Sequence, residues 1–158
     1  MTESRTGIGF DVHPRAAGRP LMLAGVQFEG EVGLAGHSDG DAVCHAMADA
    51  MLGAAALGDV GEHFPDTDPK VAGIEGMDLL ARVVAKIRVR GLAPFSVDVT
   101  VVADRPAVAP VREEMRRNLA ATLGVAVDRV SVKATVPEGL GLSGEGVGCI
   151  ALAVLSAG

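Results

Sequence analysis

Tryptophan and tyrosine are absent from the sequence, and phenylalanine occurs only four times in 158 residues. Proteins that hold single-stranded nucleic acid stack its bases on aromatic side chains, so this scarcity argues against such a partner. The 14 basic and 20 acidic residues give a formal charge of -6, which argues against a broad nucleic-acid surface of clustered Lys and Arg. We expect no nucleic-acid partner, although backbone groups could still hold a single nucleotide.

Cysteine and long apolar runs are also scarce. Only Cys44 and Cys149 are present, in neither a C-x-x-C motif nor a repeated spacing, which predicts no disulfide framework and no thiolate metal cluster. The longest mostly apolar stretch, residues 42–57, is interrupted by His45 and Asp49 and is shorter than the ~20 residues that a membrane span needs. Residues 1–9 lack the apolar segment of a signal peptide. We expect a cytoplasmic protein with no membrane partner.

The length predicts one domain, residues 1–158, that buries its own core. Alternation of apolar and polar residues predicts strands, and a 3.6-residue spacing predicts helices. One helix is expected to begin near Ser38 or Asp39 and to end near Leu57, and two more are expected to end at Gly91 and Gly124. The mixture predicts an α/β domain. The predicted strands are residues 6–13, 21–23 with 26–28, 95–103, 130–136 and 147–155.

Asp11-Val12-His13 lies on the first predicted strand. Side chains two positions apart project from the same face of a strand, so Asp11 and His13 can reach one metal ion. His45 is a candidate third ligand about two turns into the predicted helix, because two His and one Asp form an open Zn²⁺ site. Each part also has a simpler explanation on its own. Asp11-Val12-His13 could be a surface Asp beside a His at the end of a strand, and His45 could be an ordinary core residue. Asp41 and Asp49 are candidate hydrogen-bond partners for the free ring nitrogen of His45.

The sequence has two glycine-rich segments, of which the first suggests a ligand site and the second a turn. His37 lies in a glycine-flanked loop, where a polar side chain is better explained as a substrate contact, and Ser38 with the amides of the following helix start predicts an anion site. An ordinary N-cap would account for Ser38 but not for His37. Residues 139–144 match G-x-G-x-x-G, but β-branched apolar residues follow instead of a helix, which argues against a dinucleotide site. We expect a turn between two strands there.

Several motifs occur together in the sequence. They are G-F-D-V-H (9–13), H-S-D-G-D-x-x-x-H (37–45), L-G-D-V-G (57–61), F-P-D-T-D-P (64–69), V-K-A-T (132–135) and E-x-L-G (138–141). In their order and spacing the chain resembles the 2-C-methyl-D-erythritol 2,4-cyclodiphosphate synthase family along nearly its whole length. The resemblance implies a lyase of the non-mevalonate isoprenoid pathway, which converts 4-diphosphocytidyl-2-C-methyl-D-erythritol 2-phosphate to the cyclic diphosphate and releases cytidine monophosphate. It also implies a mixed four-stranded sheet with helices on one side, and a homotrimer with active sites between subunits.

The resemblance implies roles for individual residues. Asp11, His13 and His45 match zinc ligands, and Glu138 matches the ligand of Mg²⁺ or Mn²⁺ that bridges the substrate diphosphate. His37 and Val136 match the two positions that stabilise the transition state. Contacts with the methylerythritol and its phosphate are implied for Asp11, Val12, His13, His37, Ser38, Asp59, Val60, Gly61, Phe64, Pro65, Asp66, Thr67 and Asp68. Contacts with the cytidyl diphosphate are implied for Ala103, Asp104, Arg105, Pro106, Ala107, Val108, Ala109, Thr135, Val136, Pro137 and Glu138. Leu142 and Glu145 match the lining of a cavity on the trimer axis.

Three positions depart from the family pattern. Val136 stands where a polar residue is usual and can offer only its backbone N–H, and Ala107 stands in place of a usual Lys. Glu145 stands in place of an Arg, which disfavours an anionic guest in the axial cavity. Two other functions therefore stay open. One is a zinc phosphohydrolase that activates water on the same ligands, and the other is a catalytically weak paralogue that binds cytidine nucleotides.

Overall fold

The computed structural model describes residues 3–141 and 145–158. Among these residues no helix combines the length and the apolar character that crossing a membrane requires. The elements follow one another as β1 (Ser4–His13), β2 (Leu21–Leu23), β3 (Val26–Phe28), α1 (Ala42–Ala54), α2 (Val60–His63), α3 (Gly76–Val89), β4 (Leu92–Val102), α4 (Arg112–Leu123), β5 (Val130–Thr135) and β6 (Val147–Ala157). Short 3₁₀ turns at Ala109–Val111 and Val127–Arg129 precede α4 and β5.

The main sheet has four strands in the order β1-β6-β4-β5. Strands β4 and β5 are parallel and the other two pairs are antiparallel, so the expected mixed four-stranded sheet is confirmed. Strands β2 and β3 form a separate hairpin. In the register of β1 with β6, Asp11 lies opposite Cys149 and His13 opposite Val147.

The helices cover one face of this sheet. Helix α1 packs on β1 and β6, α3 lies beside α1 against β4, and α4 lies beside α3 against β5. Close packing of α1 depends on small residues in the strands, since a Cβ on Gly7 or Gly9 would overlap the backbone of α1. The opposite face is open and carries exposed apolar side chains. They are Ile8, Phe10, Val12, Ile150 and Leu152.

The start of α1 differs from the sequence-based prediction. The helix begins at Ala42 with Asp41 as its N-cap, rather than near Ser38 or Asp39, and it ends at Ala54 rather than near Leu57. The fully buried Asp41 carboxylate accepts hydrogen bonds from the amides of Cys44, Ala24 and Gly25 at 2.9–3.0 Å. One side chain therefore caps the helix and also holds the turn between β2 and β3.

The other helix ends agree with the sequence. Gly124 follows α4 in the left-handed conformation, with φ 73°, and Gly91 follows the end of α3 with φ 72°. The expected turn after β5 is also present. Glu138 and Gly139 both have positive φ, and the amide of Leu140 donates to the carbonyl of Pro137 at 2.9 Å. The position of Leu142 lies outside the described residues.

Candidate metal centre and substrate cavity

Strand β1 and helix α1 bring three metal-ligating side chains together. Asp11 and His13 project from the face of β1 that α1 covers, and His45 lies in the first turn of α1, not two turns in as predicted. Ligand atoms of all three lie within 4.8 Å of one another. The Oδ2 atom of Asp11 is 2.6 Å from Nε2 of His13 and 3.4 Å from Nδ1 of His45. The predicted Asp–His–His group is therefore present.

The remaining nitrogen of each imidazole is held by a protein oxygen. Nδ1 of His13 lies 2.6 Å from the carbonyl of Ala35, and Nε2 of His45 lies 3.0 Å from the hydroxyl of Ser38. If each of these nitrogens carries the proton, Nε2 of His13 and Nδ1 of His45, 3.2 Å apart, both present lone pairs to the same point. This is the arrangement that metal-binding histidines need.

The prediction that Asp41 or Asp49 is the hydrogen-bond partner of His45 is wrong. Asp41 caps α1, and Asp49 accepts a hydrogen bond from the backbone N–H of Val60 at 2.8 Å. Ser38 takes their place because the chain before α1 forms a loop that folds back over His45. The backbone of this loop is held by Arg19, whose guanidinium donates to the carbonyls of Gly36 and Ser38.

The electrostatics of the Asp–His–His group fit a divalent cation. Oδ2 of Asp11 is buried and, despite the short distances above, has no well-aligned hydrogen bond among the described residues. Burial raises the pKa of Asp11, but the neighbouring imidazoles of His13 and His45 outweigh it and lower the pKa to about 2. The carboxylate is thus ionised at neutral pH, and its buried Oδ2 faces the two imidazoles. Two imidazoles and one carboxylate are a ligand set that zinc accepts.

A cavity of about 480 Å³ opens beside this group. His37 lies on its wall, and its Nε2 is 3.5 Å from Oδ2 of Asp66. The loop that carries His37 is fixed to the opposite wall, because the amide of Gly73 donates to the carbonyl of His37 at 2.7 Å. The residues lining the cavity are Asp11, His13, Gly36, His37, Ser38, His45, Asp49, Asp59, Val60, Gly61, Phe64, Asp66, Val71, Ile74 and Leu79.

The expected site residues thus fall into two groups. Most of those expected to contact the methylerythritol line the cavity, but Pro65, Thr67 and Asp68 are not part of its wall, and Val12 is exposed on the open face of the sheet. The expected nucleotide segments also lie elsewhere, at the carboxyl ends of β4 and β5. The amide of Ala103 donates to the carbonyl of Thr135 at 3.1 Å and so joins residues 103–109 to residues 135–138.

Most residues of the second group are exposed, although Ala103, Pro106, Val108 and Pro137 are buried. Arg105 pairs with Glu31 at 3.0 Å, Val136 is 47% exposed, and Glu138 lies in the turn after β5. Glu145 is exposed as well. Within one chain, therefore, the nucleotide segments do not line the cavity beside the metal group.

Five cavity residues were missed by the sequence-based site prediction: Gly36, Asp49, Val71, Ile74 and Leu79. Asp49 was considered only as a partner of His45. A usable signal was its position four residues after His45, which places both on one face of a helix. The three apolar residues carry no such signal, because their exposure to the cavity depends on how the segment after α2 packs.

These features define an α+β protein whose cavity joins an Asp–His–His group that could hold a metal ion to a histidine-bearing loop. The model of the YgbB family matches residues 4–157. The 2-C-methyl-D-erythritol 2,4-cyclodiphosphate synthase of Trichlorobacter lovleyi is 51% identical over 151 residues, which are 96% of each chain. The chain belongs to the YgbB family, with the 2-C-methyl-D-erythritol 2,4-cyclodiphosphate synthases among its relatives, and the family resemblance of the motifs is confirmed.

Solved structures agree with this assignment. The bifunctional IspDF of Campylobacter jejuni matches with a TM-score of 0.94 and 42% identity, and the alignment covers all of this chain and 43% of that one. A 2C-methyl-D-erythritol-2,4-cyclodiphosphate synthase in a CDP-bound form matches with a TM-score of 0.88 and 36% identity, over 96% of this chain and 99% of that one.

Proposed function

We propose that the protein cyclises 4-diphosphocytidyl-2-C-methyl-D-erythritol 2-phosphate to 2-C-methyl-D-erythritol 2,4-cyclodiphosphate and releases cytidine monophosphate. The reaction is a step of isoprenoid precursor biosynthesis. The observation that carries the proposal is the cavity that unites Asp11, His13 and His45 with His37 and the turn at Asp59–Gly61. Such a cavity offers metal ligands, a phosphate contact and hydroxyl acceptors within one half-open space.

The reaction needs no nucleophile from the protein. An oxygen of the substrate's 2-phosphate forms a bond to the β-phosphorus, and the bond from that phosphorus to the bridging oxygen breaks, so that cytidine monophosphate leaves with the electron pair. The 2-phosphate is already ionised at neutral pH. The lining agrees with this, because it contains no cysteine and its one serine, Ser38, is within hydrogen-bond distance of His45.

Asp11, His13 and His45 would hold a zinc ion. When bound, the ion would neutralise phosphate charge and polarise the phosphorus under attack. The residues themselves hold the ligand atoms in place: Ala35 orients His13, and Ser38 orients His45. This preorganisation limits the motion that the site must lose when substrate binds.

His37 and the turn at Asp59–Gly61 would orient the substrate. His37 is exposed at the cavity wall and can donate to a phosphate oxygen when its contact with Asp66 opens. Asp59 accepts from the amide of Glu62 with one oxygen, which leaves its other oxygen for a hydroxyl of the methylerythritol. Folding a flexible chain so that its two phosphates meet can lower the barrier by about 7–11 kcal/mol.

The nucleotide would be bound by residues 103–109 and 135–138, with Mg²⁺ or Mn²⁺ held by Glu138 and the diphosphate. Since these segments lie outside the metal cavity of the same chain, a complete site needs a second copy. We propose a homotrimer that buries the open apolar face of the sheet, where Phe10 lies opposite Ile150. Both cysteines are free and buried, in keeping with a reducing cytoplasm.

The test is incubation of the purified metal-loaded protein with the proposed substrate, followed by phosphorus NMR. The expected products are the cyclic diphosphate and cytidine monophosphate in equal amounts. Inorganic phosphate in place of the cyclic product would indicate the phosphohydrolase. Binding of CDP without any product would indicate the paralogue that only binds nucleotides.

A further inference from the structure

Four carboxylates line the cavity, and three of them have evident roles. Asp11 belongs to the metal group, Asp66 faces His37, and Asp59 caps α2. The fourth is Asp49, which is half-buried and has no ion-pair partner among the described residues. A carboxylate in a cavity for a polyanion adds electrostatic repulsion to substrate binding, so its presence requires another explanation.

The hydrogen bond of Asp49 supplies that explanation. Its Oδ1 accepts from the backbone N–H of Val60 at 2.8 Å. Asp49 lies on α1 one turn after His45, whereas Val60 is the first residue of α2, between Asp59 and Gly61. The bond therefore joins the helix that carries a metal ligand to the turn that would hold the polyol.

The connection between α1 and α2 makes such a bond useful. The chain reverses over a few residues, and Ala56 and Gly58 both adopt positive φ, at 54° and 83°. Asp59 and Gly61 are exposed, so burial holds this turn only weakly. Burial and the nearby Asp59 raise the pKa of Asp49, and the N–H of Val60 opposes them by stabilising the charged form.

We propose that Asp49 is a positioning residue that fixes the turn at Asp59–Gly61 at one spacing from His45. The part of the cavity that would hold the polyol then stays at one distance from the metal group that would contact the phosphates. This inference rests on the proposed function, because that function assigns the polyol to the turn. In this proposal Asp49 contacts the turn and does not contact the reacting atoms of the substrate.

Two variants separate position from charge. Asp49→Ala removes the acceptor, whereas Asp49→Asn keeps an oxygen that can accept from Val60 and removes only the charge. Glu114→Ala, an exposed acidic position on α4, is the matched control. All variants are prepared as metal-loaded protein, and metal content is measured in each, since none of the changes removes a metal ligand.

The first readout is amide hydrogen exchange at Val60. We expect exchange at least about 10-fold faster in Asp49→Ala, because the amide of Val60 loses its hydrogen-bond acceptor, and near wild-type exchange in Asp49→Asn. Unchanged exchange in Asp49→Ala would overturn the proposal. This readout uses no substrate, so it decides the role of Asp49 even if the wild-type protein forms no cyclic product.

The second readout is steady-state kinetics with the proposed substrate. We expect kcat/KM of Asp49→Ala to fall about 10- to 100-fold, mainly through kcat, and Asp49→Asn to stay within about threefold of wild type. Binding of CDP, which lacks the polyol, should be the same in all variants. If Asp49→Asn is as impaired as Asp49→Ala while Val60 stays protected, the charge acts directly and the positioning role is wrong. Absence of product from the wild type would instead refute the proposed function.

Discussion

Gly9 of β1 lies directly beneath Ala46 of α1, the residue that follows the metal ligand His45. A Cβ on Gly9 would overlap the carbonyl oxygen of Ala46 and would lie 2.8 Å from the amide nitrogen of Ala50. The absence of a side chain thus lets the helix approach the strand closely enough for His45 to reach Asp11. The spacing of the three ligands therefore depends on the close contact between Gly9 and Ala46.

Gly9→Ala is therefore expected to destabilise the fold by about 2–3 kcal/mol, because backbone on both sides must move to admit the methyl group. The same displacement separates His45 from β1, so zinc affinity should also fall. Chemical denaturation and zinc titration measure the two effects. The control is Gly53→Ala in the same helix, where a Cβ meets nothing within 4 Å, and where Ala should stabilise the helix by up to about 1 kcal/mol. Equal stability of the two variants would contradict this explanation.

His45→Ala is expected to abolish stoichiometric zinc binding, because only two protein ligands remain. Cyclisation should fall by at least about 100-fold, since the charge stabilisation of a bound metal is worth several kcal/mol. Elemental analysis and a turnover assay are the measurements. His63→Ala is the matched control, because His63 contacts the carbonyl of Leu57 and not the metal group. Full zinc content in His45→Ala would refute the assignment of the ligands.

The stabilisation that zinc confers should increase with pH. The Asp11 carboxylate, 2.6 Å from Nε2 of His13, raises the pKa of His13 above its ordinary value of 6.5, although burial opposes the shift. In the metal-free protein, the stability gained from this raised pKa is fully present below 6.5 and is lost as the pH rises through the pKa of folded His13. Zinc needs the neutral imidazole, so its affinity rises over the same range.

The measurement is the difference in Tm with and without zinc between about pH 5.5 and pH 8, the range in which histidine titrates. Asp11 does not contribute to the change, because its pKa of about 2 keeps it ionised throughout. A zinc-induced shift in Tm that is constant over this range would show that protons and zinc do not compete for His13.

Phe10→Glu is expected to convert the proposed trimer to monomers. Phe10 is 50% exposed on the open face and lies opposite Ile150, so a charge there would be buried in the proposed interface at a cost of several kcal/mol. Sedimentation equilibrium measures the mass, and activity should be lost with assembly. Val89→Glu, at an 87% exposed position at the end of α3, should remain a trimer. A trimeric and active Phe10→Glu protein would place the interface elsewhere.

Short periodic patterns in the sequence predicted the strands and the shared face of Asp11 and His13, whereas His45 was added to complete a zinc ligand set and the mixed four-stranded sheet was implied by the family resemblance. In β4, Val97, Val99 and Val101 alternate with polar residues, and in β1 the spacing of Asp11 and His13 puts both on one face. Such patterns are visible within one element. The strands and the ligand set therefore agree with the structure.

The start of α1 and the partners of the site could not be predicted in this way. Asp41 becomes the N-cap because the amides of Ala24 and Gly25, distant in sequence, complete its hydrogen bonds. Ser38 and Asp39 have equal capping propensity but lack those contacts. Likewise, the bond between Asp49 and Val60 depends on how α2 folds back on α1, which local periodicity does not contain.

The pairing of β1 with β6 sets the order in which the metal group can mature during synthesis. Asp11, His13 and His45 all leave the ribosome early, but β1 is an edge strand whose hydrogen-bonding neighbour is β6, the final strand of the described chain. Until β6 emerges, Asp11 lacks its position opposite Cys149 and the ligands have no fixed spacing. Zinc acquisition would then follow the synthesis of β6, and a chain that stops before β6 would bind zinc poorly although it contains every ligand.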